Sequence, residues 1–491
     1  MPLIPFGEHL PDLPPRDNPG ALTASGVVPW LGAYRPWKAL ATTTNALTAR
    51  CQGAASFRDL SGGTHNFAGD ATKLYKLDST GLLWQDVSRL VGGAYATDTA
   101  NAWSFTQFNN FCIAVNGTDA PQVYTMGTST NFAALTGSPP IGRFIITIKD
   151  FAVILRVASL FNEARWCAIG DPTASWAVSA VTQADFQDIA HGGFIMGGVG
   201  GESGVILQRN AISRMTYIGA EFIFQFDMIS NSIGCMAENS LAAYQSNSFF
   251  LSDNGFYQLI GAAELVPIGE GKVNRTFLGE VDQSNLGRIV GSIDPQNQIY
   301  VVVYPQTGGD GTPTKGRIYH WPTQRWSEFD QSCEWIWPVF SQSGYTLDGL
   351  DAVTTNLDLL PAPLDSPLWA GSGKYLLAGF FTDHKSGSFT GTNLAAAIDT
   401  GEFEATPGKR TLFRSVRPIV DATGATVTPI TRNLPSDAVT TGSAISLDSL
   451  GRAPMRVNAR YARMRLSMPA GHAATFLQGI DSIDAVPLAT R

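Results

Sequence analysis

Short runs of alternating apolar and polar residues, each bounded by turn-forming residues, recur along most of this chain. Alternation at a spacing of two marks strands that bury one face. Trp103-Ser-Phe-Thr-Gln-Phe108 leads into Phe111-Cys-Ile-Ala-Val115 and then Gln122-Val-Tyr124. Later, Ser248-Phe-Phe-Leu-Ser252 precedes Gly255-Phe-Tyr-Gln-Leu259, and Gln298-Ile-Tyr-Val-Val-Val-Tyr304 precedes Arg317-Ile-Tyr-His-Trp321. Dipeptides such as Asn116-Gly117 and Asn254-Gly255 supply the turns. Over residues 49–345 the refrain makes about six units of three or four strands, repeating in structure and not in wording. The spacing predicts an all-β fold, a β-propeller of about six blades. A large β-sandwich is the alternative.

Three flanking regions follow different rules. Residues 1–48 are dense in proline, which forbids helix and regular ladders, and carry Trp30 and Trp37. They predict an extended arm lying along a neighbouring surface, with the two tryptophans as inter-subunit contacts. Residues 346–396 loosen into Leu359-Leu-Pro-Ala-Pro-Leu-Asp-Ser-Pro-Leu368 and read as a connecting segment. From 397 to 491 alternation resumes and predicts a C-terminal all-β module. Arg456, Arg460, Arg463 and Arg465 crowd one stretch of it; Arg463 and Arg465 should share one strand face and Arg460 the other. Two readings stand: charges that blunt a solvated edge, or bidentate partners for carboxylates of an adjacent subunit.

Composition sharpens this picture. Charged residues are only 15% of the 491, against roughly 25% in an average soluble protein, so much of the surface should be covered by other subunits. Net charge is −8, divided unevenly: residues 397–491 carry a net +3 and the rest a net −11. An acidic main body does not grip phosphates; it reads first as ordinary solubility charge, and as the alternative it suits a wall past which DNA must slide. The five cysteines are scattered with no CxxC pair and read as buried thiols of a protein made and folded in the cytoplasm. Neither a signal peptide nor an apolar run long enough for a membrane helix is present in the sequence.

Candidate chemistry falls away on inspection. Gly197-Gly-Val-Gly-Gly-Glu-Ser-Gly204 lacks the Lys-Ser/Thr of a phosphate loop and leads into a strand, so it reads as a glycine-rich hairpin. His191 with Ser203 lacks a nucleophile elbow. Ser252-Asp-Asn-Gly-Phe-Tyr257 is a single turn in which Asp253 and Asn254 should bond local backbone. The scattered histidines assemble no metal site by local spacing. No catalytic residue, metal or cofactor is called, and the chain reads as no enzyme.

Several stretches resemble the nozzle, or tail-stabilisation, proteins of short-tailed bacteriophages. They are Met1-Pro-Leu-Ile-Pro-Phe-Gly-Glu8, Phe108-Asn-Asn-Phe-Cys-Ile-Ala-Val115, Gln122-Val-Tyr124 and Asp185-Phe-Gln-Asp-Ile189. Gly204-Val-Ile-Leu-Gln-Arg-Asn-Ala-Ile-Ser-Arg-Met-Thr-Tyr217, Phe249-Phe-Leu-Ser-Asp-Asn-Gly-Phe256 and Asn458-Ala-Arg-Tyr-Ala-Arg-Met-Arg-Leu-Ser-Met-Pro-Ala-Gly471 complete the set. The resemblance implies a propeller-based protomer, six copies in a ring below the tail adaptor, and a place in the virion tail. Tail fibre or spike and needle proteins would be further partners, with DNA passing through the lumen without sequence-specific binding. A tail-associated propeller that binds or cleaves host glycan is the alternative, and a non-viral scaffold propeller a third.

Overall fold

The computed structural model describes residues 4–488 apart from 17, 79–81, 220–221, 342–345, 347, 367 and 370–374. Short antiparallel hairpins dominate it. Phe108 and Phe111 face each other across a two-residue turn in which Asn109 takes a left-handed φ of 51°, matching the twist of the flanking strands.

These hairpins combine into six four-stranded sheets and the first four strands of a ten-stranded one, seven blades in all. Blade I is Ala54–Arg58, Thr64–Gly69, Leu74–Leu77 and Trp84–Asp86. Blades II to VI begin with the inner strands Ser104–Phe108, Gly142–Ile148, Ile195–Val199, Ala242–Tyr244 and Val290–Asp294, each followed by three more strands outward. Blade VII is Trp335–Phe340, Tyr375–Phe380, Lys385–Ser388 and, as its outermost strand, Ala41–Ala46 from near the other end of the chain. Seven hydrophobic clusters each join two neighbouring blades, from I/II round to VII/I, so the sheets close into a ring. The fold is a β-propeller.

The count is seven blades and not about six, for a physical reason. Of the stretch 346–396 expected to connect the two modules, the part before Tyr375 is an insertion between the first two strands of blade VII, where Leu350, Ala362 and Trp369 join the cluster of Trp84 and Phe380, and the rest supplies Tyr375–Phe380 and Lys385–Ser388 to the blade. The blade is completed only when residues 41–46 pair with 385–388. Gly387 permits this closure, because a Cβ there would lie 1.8 Å from the Ala41 carbonyl oxygen.

The remaining residues form a β-sandwich. One sheet runs Val27–Trp30, Ala33–Pro36, Leu477–Pro487, Thr411–Val420, Ala453–Ala459, with Ile4–Pro5 also pairing to Leu477–Pro487. The other is continuous with blade VI: Ser25 pairs in parallel with Glu328 on its outer strand, and Ala396–Asp399, Tyr461–Met468 and Thr426–Arg432 follow. Between them lie Phe6, Tyr34, Ile398, Phe413, Met464 and Leu477, all buried. The described N-terminal residues therefore supply strands to both sheets of this sandwich and the closing strand of the propeller, in place of an arm reaching to a neighbour. At the crossing, Gly26 has φ +67° and stands so close to Ala395 that a Cβ would meet its carbonyl oxygen at 2.0 Å. Among the described residues no helix is long and apolar enough to cross a membrane.

Candidate functional site

The seven inner strands surround a central cavity of about 520 Å³. Phe105, Phe144, Trp335, Trp337 and Tyr375 line it, with Gly197, Gly198 and Gly200 leaving room between them. The glycine-rich stretch is a hairpin between the inner two strands of blade IV, as its composition suggested. Glu238 is the carboxylate among the described lining residues. Its Oε2 accepts from Arg143 Nε at 3.1 Å and Nη2 at 2.8 Å, and its Oε1 accepts from Arg156. Burial lowers the Arg143 pKa from its ordinary value, and Glu238 opposes that shift. With both oxygens engaged by guanidinium groups, Glu238 is poorly placed as an acid, base or nucleophile. Glycoside hydrolysis needs two carboxylates facing a substrate, and the described lining of this channel presents one, already occupied.

A second polar cluster sits where the sandwich meets blade VI. Arg317 is fully buried on the third strand of the blade. Its Nη1 lies 3.1 Å from Glu328 and its Nη2 3.3 Å from Glu280 on the short helix Asn274–Glu280. Nη1 also donates to His9 Nε2 at 3.0 Å, leaving the neutral imidazole proton on Nδ1. Lys315 bridges the same two glutamates at 3.1 and 3.4 Å. Desolvation, then the charges of Arg317 and Lys315, hold the His9 pKa well below its usual value. Asp12 accepts from the Arg275 and Thr276 backbone at the start of that helix, both at 2.8 Å. The cluster clamps the segment from His9 to Asp12 to the propeller.

The residues singled out as inter-subunit contacts are placed mostly inside this chain. Trp37 is 5% exposed and packs against Phe329 and Phe389, with ring centroids at 6.0 and 5.3 Å. Trp30 is half-buried, with the Arg35 guanidinium 3.7 Å above its ring and His320 beside it. Arg463 and Arg465 do share a face, and both reach the fully buried Asp399, at 3.6 Å and, bidentately, at 2.6 and 3.0 Å. Arg460 pairs with Glu404 at 3.3 Å. Arg456 stays exposed, without an ion pair among the described residues. Asp253 also differs from expectation: it reaches across to Arg209 of blade IV at 2.6 and 2.9 Å instead of bonding its own turn. These carboxylates lie far from their arginines in sequence, so strand spacing could not pair them.

Two exposed apolar patches went unread in the sequence. Blades III and IV expose Phe161 (48%) and Phe194 (53%) at one end of their strands, and Val181 (92%) and Phe222 (76%) at the other. An apolar pair directly after a turn, such as Leu160-Phe161 after Ala158-Ser159, was the available signal.

No family model matches the chain, and no curated protein matches it. Among solved structures, BBS1N in complex with ARL6DN is 11% identical, with a TM-score of 0.39 over 72% of this chain and 95% of that one. YCF48 bound to a D1 peptide is 12% identical, with a TM-score of 0.36 over 61% of this chain and 87% of that one. An exo-β-1,3-galactanase from Phanerochaete chrysosporium is 10% identical, with a TM-score of 0.26 over 91% of this chain and 99% of that one. Binding proteins and an enzyme are both represented, and at these scores the likeness carries no functional argument.

Proposed function

We propose that this chain is a structural protein, the nozzle protomer at the distal end of a short-tailed phage tail, retaining the packaged genome and then conducting it out. The observation that carries this reading is the joint between the two modules. A single sheet runs from blade VI into the sandwich, and strands between Ile4 and Pro36 are woven into that sandwich with strands between Ala396 and Pro487. The stretches that resemble nozzle proteins lie on both sides of this joint: in the first residues, in hairpins of blades II, IV and V, and in the central sandwich strand Tyr461–Met468. A stiff two-module protomer of this kind suits a ring that bears load while DNA moves past it. The propeller's own channel, a cavity of about 520 Å³ lined by aromatic rings, is too small for a duplex. The genome's passage therefore runs between copies in the ring, six on this reading, with the adaptor above and the fibre or spike and needle proteins around it. A structural role also agrees with Glu238 being held between Arg143 and Arg156. Cryo-electron microscopy of purified virions tests the proposal. Six copies of this chain around the tail-tip channel are expected; its absence from the tail axis, or a peripheral place on spikes, would refute it.

A further inference from the structure

We infer that the cavity at the joint between propeller and sandwich binds a small organic molecule through a carboxylate or phosphate group, held by Arg35, Trp37 and His472. The inference goes beyond the nozzle reading and stands whether or not copies of this chain form a ring.

The cavity has a volume of about 760 Å³, within the range of roughly 300–1,000 Å³ usual for small-molecule sites. Its walls come from segments far apart in sequence. They are the strand Ala33–Pro36 with the two residues after it, the turn after the inner strand of blade VI, part of blade VII with its insertion, and the sandwich loop 471–475. Tyr34 points into the sandwich core, so Arg35 and Trp37 face the opposite way, towards the propeller. Val28, paired with Arg35 across the hairpin, shares that face and joins Trp37 in the cluster between blades VI and VII. The main chain then brings His472 alongside. Leu394 N donates to the Trp37 carbonyl at 2.9 Å, and Gly471 N to the Asn393 carbonyl at 2.8 Å. Asn393 Nδ2 donates to the His472 carbonyl, also at 2.8 Å.

Three N–H groups of this lining lack an acceptor. Trp37 Nε1 and His472 Nε2 are buried and unbonded, in side chains only 5% and 7% exposed. His472 Nδ1 accepts from Ala474 N at 3.2 Å, so the neutral ring carries its proton on Nε2. The Leu394 carbonyl stands near enough to oppose the downward pull of burial on this ring's pKa, yet Nε2 makes no hydrogen bond. Arg35 Nε is the third donor. The same guanidinium donates through Nη2 to Asn297 Oδ1 at 3.1 Å and has no ion pair among the described residues. Asp294, also in the wall, is spent on its own turn, accepting from Gln296 N at 3.0 Å, Asn297 N at 3.2 Å and Asn297 Nδ2 at 2.6 Å. Every unpartnered buried polar atom described in this lining is thus a donor, and the group that satisfies them is an acceptor. A guanidinium beside two neutral N–H groups favours an oxyanion over a hydroxyl. Lys38 adds a second cation to the exposed part of the lining, where Asp365 is an exposed carboxylate. Val28, Leu376 and Phe389 supply apolar wall for the body that carries the anion. Because both modules contribute walls, an occupant ties propeller to sandwich.

The test is isothermal titration calorimetry of the full chain with sodium phosphate and, separately, sodium citrate, against sodium chloride at equal ionic strength. Phosphate and citrate stabilise proteins generally at high concentration, so the readout is saturable binding at one site per chain. A response to phosphate alone identifies a phosphoryl ligand, and to citrate alone a carboxylate; a response to both identifies a site that reads negative charge. Arg35→Met, which keeps the stem over Trp30, and Trp37→Phe, which keeps a ring in the core, should each weaken binding about tenfold or more. Arg456→Met, which removes an exposed cation of the outer sheet, should leave it unchanged. Saturable binding of neither anion would overturn the inference. So would binding that Arg35→Met and Trp37→Phe leave unchanged while circular dichroism shows both variants folded.

Discussion

Acidification should loosen the joint between sandwich and propeller through His9. The side chain is 1% exposed, accepts a 3.0 Å bond from Arg317, and faces Lys315, Glu280 and Glu328. Its folded pKa is held well below 6.5, first by burial and then by the two cations. In the unfolded chain it titrates near 6.5, so below that pH the unfolded state binds more protons. Stability is then level above about pH 6.5 and falls as pH drops through that value. A histidine that stays neutral while folded costs about 1.4 kcal/mol per unit below it, hence about 2 kcal/mol at pH 5. The comparison is wild type against His9→Gln, whose amide oxygen can still accept from Arg317 but does not titrate. Urea unfolding followed by tryptophan fluorescence, at pH 7.5, 6.5 and 5.0 and constant ionic strength, measures both. The stability difference between wild type and variant should shrink by about 2 kcal/mol across that range. His65, His320 and His472, also held below their usual pKa by burial, cancel in the subtraction. A difference that does not change with pH would refute the reasoning.

Other measurements probe separate parts of the fold. Trp37→Ala should cost the isolated protomer about 3–5 kcal/mol, as for other buried aromatics; a thermal melt unchanged from wild type would return Trp37 to the role of inter-subunit contact. Gly26→Ala should cost at least about 1–2 kcal/mol from the left-handed backbone alone, with the clash against Ala395 added; wild-type stability in chemical denaturation would count against the crossing geometry. All five cysteines are buried, and burial pushes the thiols of Cys167, Cys235 and Cys333 up to about 12. A thiol reagent at pH 8 should therefore modify none of them in the native protein and all five after denaturation. Rapid native labelling would show that the interior opens.

Local pattern was enough to specify much of this protein. Strand spacing and turn dipeptides mark the hairpins at 104–115 and 247–260, because alternation and turn preference are properties of neighbouring residues. The same spacing put Arg463 and Arg465 on one face. An all-β propeller with a second β module follows from those signals. What they could not supply is any pairing between distant segments. Thr42 to Asn45 are too polar to look like a strand, and they become one because blade VII offers an unpaired edge that must be satisfied. The insertion within that blade broke the repeat and hid the seventh copy. The proline-rich start looked free because proline excludes a central ladder, yet extended segments at a sheet edge can still cover a core, as Phe6 and Trp37 do. The arginines found their carboxylate, Asp399, more than sixty residues away, where only the folded register brings them together. Exposure was likewise decided by tertiary structure. Phe161 and Phe67 are the same residue type on similar strands, and only the packing of blades leaves one in water and the other in the core.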